Sequence, residues 1–539
     1  MRPGPGGRRW RARRRTGAGW RPPARWGWLC ARRARPRLGG MSPGPGPAPK
    51  LALRSYNASA LRFRRSETGK SEQARYRSVI GGAQAQPREP AAQHGGPSHS
   101  LGFGARLGRA VTRLQSPLGY LLFFGGLQLG LMFWLSRFWP VWLIVAGAVA
   151  LGAEVVAVAV VRGHWPAKTL GLLLVIALLV VAPAVVLMHD RAVRGITSVE
   201  HDGAIQAEVA MDRMLHGLPI YGVDWSKTAV AQVPWDYSKG PANPALHHNL
   251  YFPLVPMAGI PVALVAHALG IPYDYRQVLL IVLGIGLWAI GLLPIPPARR
   301  FAIAVSLFLG PLLGLYVWAG RSDVPVVALV ILGLALLALD RPLLASLVLG
   351  TGLAYKLFAA PAVPFLLATL WLRWRSQRNG WEVGRCLVAL AIVPVVTITP
   401  FLLADPAAFV RDVVLYPGSG GPDSYPISGY GLGGLLLATH AIHQTDQFPF
   451  WVFQLLGLGL ALAVTVPWFL RRPSAGRWLT GFVATLFAMT FFARFFNDSH
   501  LTLVLALLAA CAPLGDSTLL SRATAPLRSV PSSLDRGWR

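Results

Sequence analysis

The sequence predicts an all-α, polytopic bundle of about 11–13 membrane-spanning helices, with one amphipathic helix in an outer loop. Three observations carry this. Over half of the 539 residues are hydrophobic, only 14% are charged, and the mean hydropathy is +0.46. Runs of roughly 17–25 apolar residues, long enough to cross a bilayer's hydrocarbon core, recur from about 118 to 514. Between them, positive charge gathers in short loops, where it reports orientation rather than a ligand.

The chain opens on a hundred residues rich in Arg, Gly and Pro. They hold 22 Lys/Arg against Glu67, Glu72 and Glu89, so nineteen of the thirty net positive charges sit there. No apolar period is sustained and no core offsets the ordering entropy, so 1–100 reads as a disordered basic extension. The apolar h-region of a secretory signal is missing. Met41 opens a less basic stretch and is a second candidate start. With the charge so distributed, no nucleic-acid partner is expected. Cys30, Cys386 and Cys511 are few and odd in number, and the last two lie in or beside apolar spans, which argues against a disulfide framework.

Within the membrane region, 115–514, candidate spans lie near 118–135, 139–161, 168–188, 252–270, 276–295, 300–319 and 323–339. They continue through 342–372 (two short helices), 383–404, 450–470, 478–495 and 500–514. The basic stretches Arg162 to Lys168, Arg373 to Arg385 and Arg471 to Arg477 are expected on the cytoplasmic side. The loops 189–250 and 405–449 then face outward, and 515–539 forms a cytoplasmic tail. Parity fails around 252–268, where Pro253, Pro256 and Pro261 interrupt the run; this suggests a re-entrant or half-length piece. Irregular backbone at that depth needs protein or a water-filled cavity around it. At 342–372, two short helices meet at Lys356. A lysine there has a partner or a function, or it snorkels to the interface.

The first outer loop carries the chemistry. Thr197-x-x-Glu200 resembles a capping box, and Gly217 with Pro219 forms a helix stop. Between them, Ala204, Ala207, Ala210, Met211, Met214 and Leu215 share one arc, while Asp202, Gln206 and Arg213 occupy the opposite one. Such a helix is expected to lie flat on the membrane, with Asp202 facing water or a cleft; the plainer reading is a solvated polar face. Trp225, Trp235 and Tyr237 suit an interfacial belt or stacking on sugar rings. His247-His248 is a weak metal signal without a carboxylate at ligand spacing, so no metal or other cofactor is expected. The second loop, Tyr416-Pro-Gly-Ser-Gly-Gly-Pro-Asp423, reads as a flexible lid. Asn497-Asp-Ser499 matches a glycosylation pattern short enough to arise by chance.

His201-Asp202-Gly-x-x-Gln206-x-Glu208-x-Ala210, followed by Leu215-x-Gly217-x-Pro-x-Tyr221, resembles the first outer loop of polytopic GT-C glycosyltransferases. The nearest likeness is to bacterial family 87 mannosyltransferase-like and family 39-like membrane proteins. Tyr251-Phe-Pro253, Gly320-Arg321-Ser-Asp323 and Lys356 before a Pro-broken helix fit in the same order, and the likeness covers about 115–514. It implies a polyprenyl-phosphate sugar donor, with Asp202 as base toward an acceptor hydroxyl, giving inversion. Lys356, Arg321 and Arg494 become candidates for the lipid phosphate. Asp323, Gln206, Glu208, His247 and His248 complete the candidate substrate-binding set. The chain departs from the better-known pattern in having three spans before the loop rather than one, and one firm Asp rather than an acidic pair.

The expected protein is therefore a hexosyltransferase, with mannose the first choice of sugar, in a bacterial plasma membrane. Its partners would be membrane lipid, a polyprenyl-phosphate sugar and a lipid or glycan acceptor. A flippase or carrier of lipid-linked sugars would instead show internal repeats and charges within its spans. A glycan polymerase would favour Arg and His in its outer loops, whereas the stretch from Glu200 to Asp212 is acidic.

Overall fold

The computed structural model describes residues 115–196, 199–234, 243–418, 420, 424–517 and 519. The basic extension at 1–100, Thr197 of the expected cap, Trp235, Tyr237, Asp423 and nearly all of the tail at 515–539 lie outside the described residues.

Three long apolar helices come first: α1 (Pro117–Trp134), α2 (Val141–Val160) and α3 (Trp165–Arg194). The loop helix α4 (Asp202–Leu215) and a shorter apolar helix, α5 (Leu254–Ala268), follow. Next are α6 (Arg276–Leu292), α7 (Pro297–Phe308), α8 (Pro311–Ala319), α9 (Val324–Ala338) and α10 (Pro342–Tyr355). Two long helices, α11 (Leu357–Gln377) and α12 (Gly380–Ala404), lead to α13 over 406–418 and the short α14 (Leu432–Ala438). The last three are α15 (Phe450–Arg471), α16 (Ala475–Phe491) and α17 (Asp498–Leu514). Among the described residues the only strands are β1 (Ser428–Gly429) and β2 (Phe495–Phe496), a short parallel pair.

Six of these helices are long and apolar enough to cross a membrane. Burial separates the barest of them from the interior helices. Only 11% of the most apolar stretch of α12 is buried, and the same holds for α15. Their outward faces carry Val388, Val395 and Val396 on one and Leu455, Leu456 and Leu460 on the other. In water such patches would aggregate; against lipid they are in place. By contrast α9 is apolar all round and buried along nearly its whole length, the mark of an interior helix. Fifteen residues of helix reach about 22 Å, short of the roughly 30 Å hydrocarbon core. An interior helix can stop short because protein, not lipid, surrounds its end. The protein is a multi-pass membrane helix bundle.

The parity problem at 252–268 has a structural answer. α5 leaves from Tyr251, which abuts Gly203 at the start of α4. After α5 the chain returns to α4: Tyr273 lies against Gly259, and the Tyr275 amide donates to Glu208 at 2.7 Å. The chain thus touches α4 both before and after α5.

α4 corrects the surface-helix expectation. His201, not Thr197, is its N-cap, and Gly217 at φ +67° ends it, with Leu218 N–H donating to Arg213 O at 2.8 Å. Burial covers Ala204, Ile205, Gln206, Ala207, Ala210 and Met211, which is more than one arc, while Leu215 of the supposed membrane face is exposed. The helix is thus packed into protein on two sides. At its start Gly320 (φ +79°) lets the α8–α9 turn close onto Ala204, where a Cβ would sit 2.7 Å from that residue's own.

What clamps α4 is a buried ion cluster. Arg276 at the head of α6 donates to Glu200 at 2.9 Å, to Asp274 at 2.7 and 2.9 Å, and to the Trp318 carbonyl at 3.2 Å. Arg191 at the end of α3 pairs with Glu208 and, at 3.1 Å, with Asp274. Two arginines thus hold three carboxylates drawn from the segment before α4, from α4 itself and from the turn before α6. Burial pushes the Glu208 carboxyl upward, against the lowering effect of Arg191. Glu200 belongs here, paired with Arg276.

Removing one partner of a buried ion pair strands the others, at a cost of about 3–5 kcal/mol. Arg276→Met should therefore unfold or fail to fold in mild detergent, with a thermal midpoint well below wild type. A midpoint within a degree or two would mean that the cluster does not clamp α4.

Candidate active site at the N-terminus of α4

The chain brings four helix ends together here: the start of α4, the turn from α8 into α9, the end of α10 and the start of α17. Each end is polar for a local reason. The extended backbone of Lys356 (φ −158°) stops α10, and a 3-10 turn with Pro361 leads on into α11. Asn497 caps α17, and His500 completes its capping box. The apparent glycosylation match at Asn497 is therefore a helix cap.

Asp202 sits at the first position of α4. Its Oδ1 accepts from the Gly203 amide at 2.7 Å, with His201 Nδ1 3.0 Å away. Burial alone would raise its pKa. The neighbouring His201, the Gly203 amide and the Arg321 guanidinium outweigh that and hold the carboxyl at about 2. Its Oδ2 makes no hydrogen bond among the described residues, and the side chain keeps 19% of its exposure. An ionised, reachable carboxylate remains, with one oxygen to spare.

The cations stand beside it. Arg321 donates to Asp498 at 2.9 Å and lies over the Tyr316 ring at 4.8 Å, and its buried Nε has no partner among the described residues. Lys356 Nζ is 2.5 Å from Asp323 and 3.3 Å from Ser322 Oγ, and it also faces the rings of Tyr251 and Phe358. The snorkelling alternative for Lys356 is thereby displaced: its partner is Asp323. Asp202, Arg321, Asp323 and Lys356 converge as one site, ringed by Tyr251, Tyr416 and Tyr425.

The remaining candidates divide. Gln206 is buried, and its amide donates to the carbonyls of Ala245 at 3.1 Å and His248 at 2.8 Å, so it fastens the loop to α4. Glu208 is occupied in the Arg191 cluster, six residues from Asp202 and thus about 240° around the helix. Arg494 spends its guanidinium on the carbonyls of Tyr425, Asp446 and Gln444, at 2.5, 2.8 and 3.2 Å, and burial lowers its pKa to about 10. These three leave the substrate-binding set, because their polar atoms are already used by the protein.

Arg494 and the β1–β2 pairing also pin the second loop, which the sequence suggested was a free lid. The two adjacent histidines point apart. His247 is exposed, 3.8 Å from Asp224, whereas buried His248 pairs with Asp412 at 2.9 Å and stacks on Tyr416. Among the described residues no three His, Cys, Asp or Glu gather as a metal site. Trp225 is fully buried rather than interfacial, with Arg213 5.9 Å above its ring. Asp412 escaped the sequence reading. Its only signal was a charged pair, Arg411-Asp412, inside an otherwise apolar run, and the fold gives it a buried place accepting from the Gly222 amide at 2.8 Å.

No family model, no curated protein and no solved structure matches the chain.

If Arg494 clips the second loop, Arg494→Met should speed amide hydrogen exchange across 425–446 while leaving α6 and α9 protected. Unchanged exchange there would show that other contacts hold the loop.

Proposed function

We propose that this protein is an integral membrane glycosyltransferase of the GT-C type, moving a hexose from a polyprenyl-phosphate donor to an acceptor hydroxyl. The observation that carries the reading is the convergence of an ionised, reachable carboxylate, Asp202, with two cations, Arg321 and Lys356, at one end of a lipid-embedded bundle. On this reading the six long helices, α6, α9, α10, α17, the broken pair 297–319 and α16 make twelve crossings. The Arg-rich ends face the cytoplasm and the site faces outward.

In the proposed step the acceptor oxygen attacks the anomeric carbon while its proton passes to Asp202. The bond from that carbon to the phosphate oxygen breaks, and its electron pair leaves on the lipid phosphate. An alcohol is a poor nucleophile at neutral pH, so a carboxylate that takes the proton as the new bond forms contributes about 10²–10⁴-fold. Fixed cations stabilise the departing phosphate. Arg321 and Lys356 are each already shared with an aspartate, which suits the single charge of a phosphodiester better than a diphosphate. The reading favours an enzyme over a carrier because the charges of the site gather at helix ends, beside a carboxylate with an oxygen to spare.

The test is sugar transfer from a polyprenyl-phosphate hexose by purified protein in nanodiscs. Lys356→Met, combined with Asp323→Asn so that no carboxylate is stranded, should lose about ten- to a hundredfold, less than the ~10²–10³ of a dedicated donor. Because Asp202 is held at about 2, its active, ionised form persists as pH falls from 8 to 4 and is lost only near 2. The rate should therefore show no acid limb above about pH 4. A limb centred near 6 would place the base elsewhere, and donor carried across the bilayer intact would make the protein a carrier.

A further inference from the structure

A cleft of about 570 Å³ opens beside the site, between the two outer loops. It belongs to neither the cation pair nor the ion cluster. Its rim is polar and exposed: Asp224, His247 and Arg411. Its inner wall is Tyr416, braced on one ring face by His248 at 4.5 Å, which Asp412 holds in turn. Tyr425 packs edge-on against Tyr416 at 6.0 Å.

Two features of Tyr416 call for a ligand. The side chain is 98% buried, yet among the described residues its hydroxyl has no hydrogen-bond partner. A buried polar group left unpaired costs about 1–3 kcal/mol, and native proteins rarely leave one without a reason. The hydroxyl is also kept protonated, its pKa pushed well above the usual range by burial, then by Tyr425 and the Asp202 carboxylate. It is thus a hydrogen-bond donor in electrostatic reach of Asp202, on a residue that also lines the cleft.

We propose that this cleft is the acceptor subsite, that it takes a carbohydrate headgroup from the aqueous side, and that the Tyr416 hydroxyl donates to an oxygen of that sugar beside Asp202. The inference rests on the glycosyltransferase reading and names the substrate class it would use. The rim argues for a carbohydrate, because carboxylate, imidazole and guanidinium groups bind hydroxyls, while Val223 and Leu415 beside them suit the apolar C–H face of a sugar ring. The volume lies within the 300–1,000 Å³ range of small-molecule sites and has room for a disaccharide. His248, held by Asp412, acts as a positioning residue by fixing the plane of the Tyr416 ring.

Tyr416→Phe separates this role from a structural one. The hydroxyl makes no bond among the described residues, so its loss should leave the thermal midpoint unchanged or slightly raised. Binding of a soluble methyl hexoside to the full chain in nanodiscs, read by saturation-transfer NMR, should weaken about two- to tenfold, the worth of one hydrogen bond. In the transfer assay the acceptor KM should rise by a similar factor. A lowered midpoint would show that the hydroxyl is a structural bond after all and would overturn the proposal. So would hexoside binding that is absent from wild type or equal in the two proteins. A failure of the glycosyltransferase reading looks different: hexoside binds and depends on Tyr416, yet no donor is consumed.

Discussion

The structure depends on one constraint: two arginines and three carboxylates share a space from which water is largely excluded. Arg191 and Arg276 come from helices that cross the bundle, and Glu200, Glu208 and Asp274 come from the segments between them. Taking charges out of water is expensive, and the cost is recovered only if every one is paired and hydrogen-bonded. Such a cluster has one arrangement of low energy. It therefore sets the rotation of α4, and that rotation decides which side chain faces the site. Asp202 points toward Arg321 because Glu208, about 240° around the helix, is tied to Arg191.

Helix length does the rest. Long helices face lipid and must cover the hydrocarbon; short interior ones end early, and their polar ends collect around one chamber. Asp323 heads α9, Lys356 ends α10, and Asp498 begins α17. Each charge in the chamber has an opposite neighbour, so the site is stable without substrate. Among the described residues its unsatisfied groups are few: one oxygen of Asp202, the Nε of Arg321 and the hydroxyl of Tyr416. These are the groups a substrate would complete.

Much of this was legible in the sequence. Apolar runs gave the helices, the prolines at 253, 256 and 261 flagged the odd piece that became α5, and the break at Lys356 fell where expected. Asp202, Arg321, Asp323 and Lys356 were singled out and do converge. The failures share a cause. An amphipathic pattern cannot tell a membrane surface from a protein groove, so α4 was laid flat when Ile205 and Gln206 are buried. Nor does a sequence show which polar groups are already taken. Gln206, Glu208 and Arg494 have the right chemistry for a ligand, but their atoms are spent on Ala245, Arg191 and Tyr425. Asp412 and Tyr416 were out of reach for the opposite reason: their shared partner His248 lies more than 160 residues away, and only the fold makes them neighbours.

The central claim is that Asp202 is the base. Asp202→Asn keeps its size and much of its hydrogen bonding, including the acceptor for the Gly203 amide, and removes only the charge that takes the proton. The decisive measurement is sugar transfer by the purified variant, with binding of the polyprenyl-phosphate donor followed in parallel. The account predicts donor binding within about threefold of wild type and transfer reduced by about 10²–10⁴-fold. Undiminished transfer would remove Asp202 from the chemistry, and the mechanism with it.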